Sequence, residues 1–294
     1  MNILVFGSLN IDLIFSVDHI VLPGETISGC SLTRSAGGKG ANQAAALAKA
    51  GMPVYMAGKI GEDGKFLLDL LSSYGVNTDH INIYKGATGQ ALIQVDKKGQ
   101  NAIVLYAGGN GAIGPDDIDG VIRKFDPGDL IVLQNEIPHL AHIMGTAKKR
   151  GLRICLNPSP YNEGIKTLPL DLADVFFVNE IEGAGLAETP PQTPPPAMLD
   201  KLVKQFPAAE IILTAGRDGA YYGCGENRAK GEIVDLPVVD TTGAGDTFSG
   251  YFIAARTKGL PVDEAIRLAC KAASIAVSRK GAMEAIPFAP EVFS

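Results

Sequence analysis

Two glycines and an aspartate in the segment VDTTGAGDTFSG, residues 239–250, could perform phosphoryl-transfer chemistry. Gly243 and Gly245, which flank Ala244, allow the backbone to turn so that its N–H groups converge. Asp246 and the residues after it have a helical pattern, so the N-terminus of a helix faces this turn. Convergent N–H groups at a helix N-terminus stabilise an anion, which here would be a phosphoryl group during its transfer.

Asp246 has two interpretations at this position. It can cap the first turn of the helix as an ordinary N-terminal carboxylate. It can also act as a general base that takes the proton of a substrate hydroxyl as that hydroxyl attacks phosphorus. A base of this kind contributes about 10²- to 10⁴-fold to a rate. The residues of this segment leave both interpretations open.

Two other segments carry polar groups that a sugar could bind. AGGKGANQAAA leads consecutive glycines into an alanine-rich helix, with Lys39 and Asn42 at the start of that helix. GSLNID places Asn10 and Asp12 just beyond a first predicted strand, where open α/β sheets bind their ligands. The alternative is that Lys39 is simply exposed and that Asn42 is an ordinary polar residue of an early helical turn.

The segment GNGAIG, residues 109–114, matches the G-x-G-x-x-G pattern and suggests an NAD-dependent oxidoreductase as an alternative. The strand before it is better explained as half of a hairpin over residues 87–106, and Pro115 is typical of a helix start. A lone match of this kind is a weak signal. No G-x-x-x-x-G-K-[ST] motif occurs, which excludes a P-loop.

Composition excludes several classes of protein. The chain has 294 residues, of which 46% are hydrophobic and 20% charged, and its net charge is −6. The negative charge disfavours nucleic acid and anionic membranes as partners. No apolar run approaches the ~20 residues that cross a bilayer, so we expect a cytoplasmic protein. The four cysteines form no C-x-x-C pair, and we expect them to be buried rather than to bind zinc or form disulfides.

Apolar runs of strand length alternate with helical patterns along the chain, and this alternation predicts a doubly wound α/β domain with a mostly parallel sheet. The strand-like runs are residues 2–7, 54–61, 130–136, 153–159, 175–180 and 211–216. The helical patterns are residues 40–51, 63–75, 116–125, 139–151 and 198–206. The proline-rich stretch 187–198 predicts an extended surface loop.

Residues 10–36 and 87–106 interrupt this alternation with hairpin patterns. They predict a small antiparallel sheet outside the main one. Such a sheet could cover the main domain as a lid and exclude water from a reaction. We therefore expect residues 1–294 to form one catalytic domain with a lid.

The motifs together resemble those of the ribokinase-like carbohydrate kinase family. The resemblance extends from Gly7 to about Pro287, and the two glycine-rich motifs are its most specific part. The matching segments are GSLNIDLIF, LPGETISG, GGKGANQAAALA, TGQALIQVD, AGGN, LNPSP, NEIE, TAGRDG, DTTGAGDTFSG and AVSRKGA.

The resemblance implies an activity, a fold and partners. Members phosphorylate a terminal hydroxymethyl group with ATP and Mg²⁺, within a three-layer α/β/α domain whose β-sheet lid often mediates a homodimer. D-ribose is the favoured substrate, and a nucleoside, fructose or 2-keto-3-deoxygluconate is the alternative. A non-catalytic binding protein is disfavoured, because such a protein would be expected to lose Asp246 or the glycines beside it.

The resemblance also assigns roles to residues. Asp246 matches the catalytic base, and the anion hole matches Gly243, Ala244 and Gly245. The sugar-contacting positions are Asn10, Asp12, Gly38, Lys39, Asn42 and Glu136. Asn179 and Glu182 match an N-x-x-E motif linked to Mg²⁺ and phosphate. The nucleotide-contacting positions are Thr214, Gly216 and Gly219, together with Gly245.

The resemblance also implies a potassium ion beside the anion hole. The matching positions are Asp240, Thr242, Ala276, Arg279, Gly281 and Ala285. Ala285 departs from the pattern, which has a serine there, and this weakens the inference of activation by K⁺. Cys270 departs as well, because the pattern has a histidine there near the adenine.

Overall fold

The computed structural model describes residues 1–294 and contains thirteen β-strands and nine α-helices. The strands are β1 (Ile3–Phe6), β2 (Asn10–Ser16), β3 (Ser31–Gly37), β4 (Val54–Ile60), β5 (Asn77–Ile83), β6 (Gly89–Val95), β7 (Asn101–Tyr106), β8 (Leu130–Gln134), β9 (Arg153–Asn157), β10 (Val175–Asn179), β11 (Glu210–Thr214), β12 (Ala220–Cys224) and β13 (Asn227–Gly231). The helices are α1 (Lys39–Lys49), α2 (Lys65–Ser73), α3 (Pro115–Ile122), α4 (Leu140–Arg150), α5 (Glu180–Ala187), α6 (Pro195–Gln205), α7 (Ala244–Thr257), α8 (Val262–Val277) and α9 (Ala289–Phe293).

Nine strands form one large sheet in the order β13-β12-β11-β10-β9-β8-β1-β4-β5. Every neighbouring pair from β11 to β5 is parallel, and β12 and β13 add two antiparallel strands at one edge. The chain extends the sheet in opposite directions from β1, because β4 and β5 lie on one side of it and β8 and the later strands on the other. The predicted doubly wound, mostly parallel sheet is therefore confirmed.

Helices cover both faces of the large sheet. Alternate residues of a strand point to opposite faces, and β1 follows this rule with four fully buried side chains. Ile3 and Val5 belong to the core that α1, α2, α7 and α8 cover, whereas Leu4 and Phe6 belong to the core that α3, α4, α5 and α6 cover. The two cores and the sheet between them make three layers, α/β/α, as the resemblance implies.

A second sheet of four strands has the order β3-β2-β6-β7. Its two hairpins, β2 with β3 and β6 with β7, are antiparallel and lie in the two regions predicted for them. The prediction of a wholly antiparallel sheet is wrong, because β2 pairs with β6 in parallel. These two strands follow β1 and β5, which run in the same direction in the large sheet, so both leave the same edge and stay parallel.

Three further predictions concern the proline-rich stretch, the cysteines and helices that could span a membrane. The stretch 187–198 is not wholly a loop, because α6 begins at Pro195, and proline is tolerated in a first helical turn. Cys155 and Cys270 are buried as predicted, whereas Cys30 is exposed and Cys224 is half-buried. The helices include none with the length and apolar character needed to cross a membrane.

Candidate active site

The candidate site lies where β1 and β8 end side by side. The two strands are parallel neighbours, and the chain continues from them to opposite sides of the sheet. Ligands of open α/β sheets bind outside the carboxyl ends of strands at such a point. Ser8 and Asn10 follow β1, Gln134 is the last residue of β8, and Glu136 lies two residues beyond it.

Glu136 is tied to the start of α1. The Ser8 hydroxyl donates to Glu136 Oε2, and the backbone N–H of Lys39 donates to the same oxygen at 3.1 Å. Gly38 precedes the helix with a φ of 93°, a conformation that favours glycine. A β-carbon on Gly38 would also lie 2.7 Å from the Ser8 carbonyl oxygen, so only glycine lets these segments meet.

Asn10, the first residue of β2, is oriented by a second buried asparagine. Asn110 Nδ2 donates to Asn10 Oδ1 at 2.8 Å, and Asn110 Oδ1 accepts from the Leu9 N–H at 3.0 Å. The amide nitrogen of Asn10 is thereby left as the end that can donate to a ligand. Asn110 comes from the GNGAIG segment, whose preceding strand β7 belongs to the small sheet rather than to a βαβ unit.

Asp12 is a buried carboxyl group in β2. Burial, together with the negative charges of Glu136 and Glu284, raises its pKa to about 7. The side chain is 8% exposed. Gly37 of β3 adjoins it so closely that a β-carbon there would lie 2.1 Å from Asp12 Oδ2.

Asp246 lies in the first turn of α7 and is 6% exposed. Both of its oxygens accept hydrogen bonds from α1, because Asn42 Nδ2 lies 3.0 Å from Oδ2 and Gln43 Nε2 lies 2.9 Å from Oδ1. Its carboxylate makes no hydrogen bond to the amides of its own helix, so the contacts do not support the interpretation of Asp246 as a helix cap. An ionised carboxylate that points away from its helix can serve as a proton acceptor.

The N-terminus of α7 provides free backbone donors beside Asp246. Gly243 adopts a left-handed conformation with a φ of 72° and turns the chain into the helix. The Ala244 N–H makes a long bond of 3.3 Å to the Thr241 carbonyl, whereas the Gly243 and Gly245 N–H groups donate to no group of the protein. A helix N-terminus with free N–H groups attracts a phosphate or a phosphoryl group.

A polar cavity of about 200 Å³ lies at the N-terminus of α7, and Lys39, Glu182 and Asp246 are among its lining residues, whereas Asn10, Asp12 and Glu136 are not. Burial lowers the pKa of Lys39, but the carboxylates of Asp246, Glu136 and Glu182 outweigh burial and hold that pKa above its usual value. Lys39 is therefore a cation at neutral pH in a cavity that also contains acidic side chains. The residues that line the cavity are Lys39, Asn157, Ser159, Phe177, Val178, Asn179, Glu182, Thr214, Thr241, Gly243, Ala244, Gly245, Asp246 and Ser249.

A larger and mostly apolar cavity of about 340 Å³ lies next to the polar one, and both are lined by Thr214, Thr241, Ala244 and Gly245. The remaining lining residues are Gly216, Arg217, Gly219, Ile233, Val234, Leu236, Val238, Phe248, Cys270, Ala273, Ser274 and Val277. Burial raises the pKa of the Cys270 thiol to about 12, so the thiol stays neutral. An apolar cavity beside an anion site suits a purine base with its phosphates directed toward α7.

Comparison with known families identifies the chain. Residues 1–289 match the pfkB family of carbohydrate kinases. The chain belongs to this family. Its relatives include a ribokinase of Bacillus subtilis, which is 33% identical over 99% of this chain and 98% of the relative. The family and the class of enzyme predicted from the sequence, a carbohydrate kinase, are therefore confirmed.

Solved structures of ribokinases are similar to this chain over nearly its whole length. Ribokinase of Cryptococcus neoformans in complex with ADP has a TM-score of 0.86 and 34% identity, and the match covers 99% of this chain and 98% of that one. Ribokinase of Arabidopsis thaliana complexed with ribose and ATP has a TM-score of 0.87 and 31% identity, with coverage of 99% and 97%. The predicted three-layer fold is thus confirmed by comparison as well.

In this pfkB-family chain, the N-x-x-E motif forms a capping box at the start of α5. Asn179 Oδ1 accepts from the N–H groups of Ile181 and Glu182 at 2.9 Å each, and Glu182 Oε2 accepts from the Asn179 N–H at 2.9 Å. Asn179 Nδ2 donates to Glu182 Oε1 at 3.0 Å. Glu182 is thus a rigid carboxylate at the wall of the polar cavity, 4% exposed, and each oxygen retains a lone pair.

The two loops of this pfkB-family chain that are predicted to bind K⁺, those of Asp240 and Gly281, contact each other. Asp240 Oδ1 accepts from the Thr242 N–H at 3.0 Å, and Asp240 Oδ2 accepts from the Gly281 N–H at 3.1 Å. The Ala276 carbonyl, by contrast, already accepts from the Arg279 N–H at 3.0 Å. Ala285 is buried, at 1% exposure, and offers no side-chain oxygen. No group of three or more His, Cys, Asp or Glu side chains is arranged to hold a metal ion.

The structure therefore brings most of the predicted residues to one edge of the large sheet. It also adds four polar residues that the sequence does not single out, which are Ser8, Gln43, Asn110 and Gln134. Gln43 lies next to Asn42 in the motif GGKGANQAAALA, and Asn110 lies in the motif AGGN. Their places in these motifs are a sequence signal for a role in the site. Gln134 has no such signal, because it ends an otherwise apolar strand.

Proposed function

We propose that the protein transfers the γ-phosphoryl group of ATP to the terminal hydroxymethyl group of D-ribose and forms ribose 5-phosphate. The observation that carries the proposal is the position of Asp246. Its carboxylate is buried, is held by two side-chain amides and lies beside the free N–H groups of Gly243 and Gly245. A proton acceptor beside an anion site is the arrangement that phosphorylation of an alcohol requires.

The chemistry follows from these groups. Asp246 takes the proton of the sugar hydroxyl, the hydroxyl oxygen forms a bond to the γ-phosphorus, and the bond to the bridging oxygen breaks as ADP leaves. The amides at the N-terminus of α7 and the ammonium group of Lys39 stabilise the negative charge on the transferring group. Because these donors are fixed in advance, they need not reorganise during the reaction.

Ribose is favoured by polar residues of β2 and of the segment after β8. Asn10, Asp12 and Glu136 present donors and acceptors that sugar hydroxyls can pair with. Hydrogen bonds hold Asn10 and Glu136, and Asp12 packs against Gly37. Relatives named ribokinase match the chain over nearly its whole length, and one solved relative is complexed with ribose and ATP. Lys39 and Asn42 of α1, with Gly38 just before that helix, complete the proposed sugar site.

ATP fits the two joined cavities, with its base in the apolar one and its phosphates at α7. Thr214, Gly216 and Gly219 would contact the nucleotide. The acidic residue that would hold Mg²⁺ is Glu182, which Asn179 keeps in position through a hydrogen bond. Mg²⁺ when bound neutralises phosphate charge. We also propose that a K⁺ ion is held by the loops of Asp240 and Gly281, with Thr242, Ala276 and Arg279 nearby.

The small sheet is proposed as a lid and as the contact between two copies of the chain. Four consecutive residues of β7 and its end, Ile103, Val104, Leu105 and Tyr106, are each more than half exposed. Ile103 and Leu105 point to one face of the sheet and Val104 and Tyr106 to the other, because side chains alternate along a strand. Exposed apolar side chains on an edge strand such as β7 are typical of an interaction site. Light scattering of the purified chain, with Val104→Glu as the variant, tests the homodimer. Location in the cytoplasm stays a prediction from the sequence.

The function is tested by a coupled assay of ADP release with ATP, Mg²⁺ and a panel of ribose, fructose, 2-keto-3-deoxygluconate and nucleosides, with and without K⁺. Ribose should give the highest kcat/KM. Asp246→Asn should keep the fold and lose about 10²- to 10⁴-fold in kcat, because the base is removed while the binding groups remain. A higher kcat/KM for another alcohol rejects ribose as the substrate, and full turnover by Asp246→Asn rejects the base.

A further inference from the structure

A chain of two buried glutamine side chains supports Asp246 from behind. Gln43 Nε2 donates to Asp246 Oδ1 at 2.9 Å, and Gln134 Nε2 donates to Gln43 Oε1 at 2.7 Å. Gln43 is 1% exposed and Gln134 is 0% exposed. The chain of hydrogen bonds therefore runs from β8 through α1 to α7 without contact with solvent.

Asp246 sets the direction of every hydrogen bond in this chain. An ionised carboxylate only accepts, so Gln43 must turn its NH₂ group toward Asp246 and its carbonyl oxygen toward Gln134. Gln134 must then present its own NH₂ group to Gln43. Gln134 Oε1 is turned away as a result, and it is buried without a hydrogen-bond partner.

The surroundings of Gln134 leave its side chain little freedom. A β-carbon on Gly7 would lie 2.0 Å from Gln134 Oε1, so the amide is packed directly against the glycine that follows β1. A buried oxygen without a partner destabilises the fold. Gln134 is the one polar residue of this fully buried strand, and its hydrogen bond to Gln43 is the one that its side chain makes.

We propose that Gln43 and Gln134 are positioning residues that hold the side chain of Asp246 in place and favour its ionised form. The inference rests on the function proposed above. Gln43 acts directly on Asp246, whereas Gln134 acts through Gln43 by fixing which end of that amide faces the carboxylate. With one lone pair of each oxygen occupied by Asn42 or Gln43, the others remain for a substrate hydroxyl.

Other charges near Asp246 come from three elements. Lys39 of α1 favours the ionised carboxylate, whereas Glu182 of α5 opposes it from across the polar cavity. Glu136, which follows β8, accepts a hydrogen bond from the Lys39 backbone N–H and also helps to raise the pKa of Lys39. None of these groups touches the amides of Gln43 and Gln134, so substitution of the glutamines leaves them in place.

The test compares Gln43→Met and Gln134→Met with the wild-type protein. Methionine has a similar length and no amide, so each variant removes one link. Gln43→Met should lower kcat about tenfold to a hundredfold, because a fixed donor to the reacting group is lost. The acidic limb of its kcat–pH profile should move up by about one pH unit, since a carboxylate without this donor binds its proton more tightly. KM for ATP should stay within about twofold, because the nucleotide cavity is unchanged.

Gln134→Met should change kcat and the pH limb in the same direction by a smaller amount. It should add nothing in the Gln43→Met background, because residues that act through one contact are not additive. Thr88→Val, which removes a buried hydroxyl that bonds to Gly61 and Asp63, is the control, and it should lower stability without moving the limb. The proposal is overturned if the acidic limb of the kcat–pH profile does not move in a folded Gln43→Met variant. It is also overturned if the losses of kcat are additive in the double variant.

The experiment distinguishes failure of this inference from failure of the function proposed above. The profiles are recorded on whichever alcohol of the panel the wild-type protein phosphorylates, so a wrong sugar leaves the test intact. If no alcohol reacts, urea unfolding decides instead. Gln43→Met should then cost less stability in the Asp246→Ala background than in the wild type, because the acceptor of its hydrogen bond is gone. Equal costs in both backgrounds overturn the inference.

Discussion

Gly250 of α7 packs against Ala46 of α1 so closely that a β-carbon on Gly250 would lie 2.5 Å from the β-carbon of Ala46. The backbone carbonyl carbon of Ala46 and the Leu47 nitrogen would each lie 3.1 Å from it. This contact sets the distance between the two helices. One turn away, the same pair of helices places Asp246 within hydrogen-bond distance of Asn42 and Gln43.

Gly250→Ala should therefore disturb both stability and catalysis. The added methyl group must push α7 away from the backbone of α1, and overpacking of this kind costs about 1–3 kcal/mol. The Asp246 hydrogen bonds should lengthen, so kcat should fall while KM for ATP changes little. Urea unfolding and steady-state kinetics measure the two effects. Gly145→Ala is the control, because a β-carbon on this helical glycine of α4 meets no atom within 4 Å. Equal stability of Gly250→Ala and the wild type would contradict the packing argument.

Local patterns predict the parts of this fold that have a local cause. The buried strands appear as apolar runs, and glycines mark the ends of α1 and α2. The edge strands β5 and β13 are not predicted, because most of their side chains are half-buried or exposed and form no apolar run. Helix α8 is not among the predicted helices, although its sequence has a helical pattern.

The residues of the candidate site also include some that the sequence predicts and some that it does not. Asp246 can be predicted as a base because its glycines and its helix are adjacent in sequence. Its two partners cannot be predicted from spacing, because Asn42 is 204 positions away and Gln43 is 203 positions away. Only the close packing of α1 on α7 brings them together, and that packing depends on the Gly250–Ala46 contact.

Gly37→Ala should weaken binding of the sugar without affecting the nucleotide. The new β-carbon would lie 2.1 Å from Asp12 Oδ2, so the carboxylate must turn away from its present position. If Asp12 binds sugar hydroxyls, KM for ribose should rise about tenfold or more. KM for ATP should remain within about twofold, because Gly37 does not line the apolar cavity. An unchanged KM for ribose in the steady-state assay would exclude Asp12 from the sugar site.

Ala273→Leu should weaken binding of ATP without affecting the sugar. Ala273 lies on α8 and lines the apolar cavity, so a larger side chain there occupies space that we assign to the base of ATP. KM for ATP should rise about tenfold, as expected for overpacking of a binding cavity. KM for ribose should stay the same, which distinguishes this variant from Gly37→Ala. A rise in KM for ribose alone would place the nucleotide elsewhere.

Asp12 should make sugar binding depend on pH near neutrality. Burial is the main reason that its pKa is about 7, so the side chain is protonated below that pH and ionised above it. An ionised carboxylate accepts hydrogen bonds from sugar hydroxyls on both oxygens, whereas the protonated form gives up part of this capacity. KM for ribose should therefore rise as the pH falls from 8 to 6, while KM for ATP should not follow the same curve. Asp12→Asn should bind ribose more weakly and should abolish this pH dependence.

The stability of the sugar-free protein gives an independent measurement of the same group. The pKa of Asp12 is higher in the folded protein than the value of about 4 expected in the unfolded chain. The folded state therefore binds this proton more tightly, and Asp12 costs stability as the pH rises from about 4 to about 7. Above about 7 the full cost is present, because both states are ionised. The free energy of unfolding of Asp12→Asn, relative to that of the wild type, should consequently increase by about 1–3 kcal/mol from pH 5 to pH 8. Urea unfolding at both pH values measures this difference, and a constant difference would show that Asp12 titrates like an exposed carboxyl group.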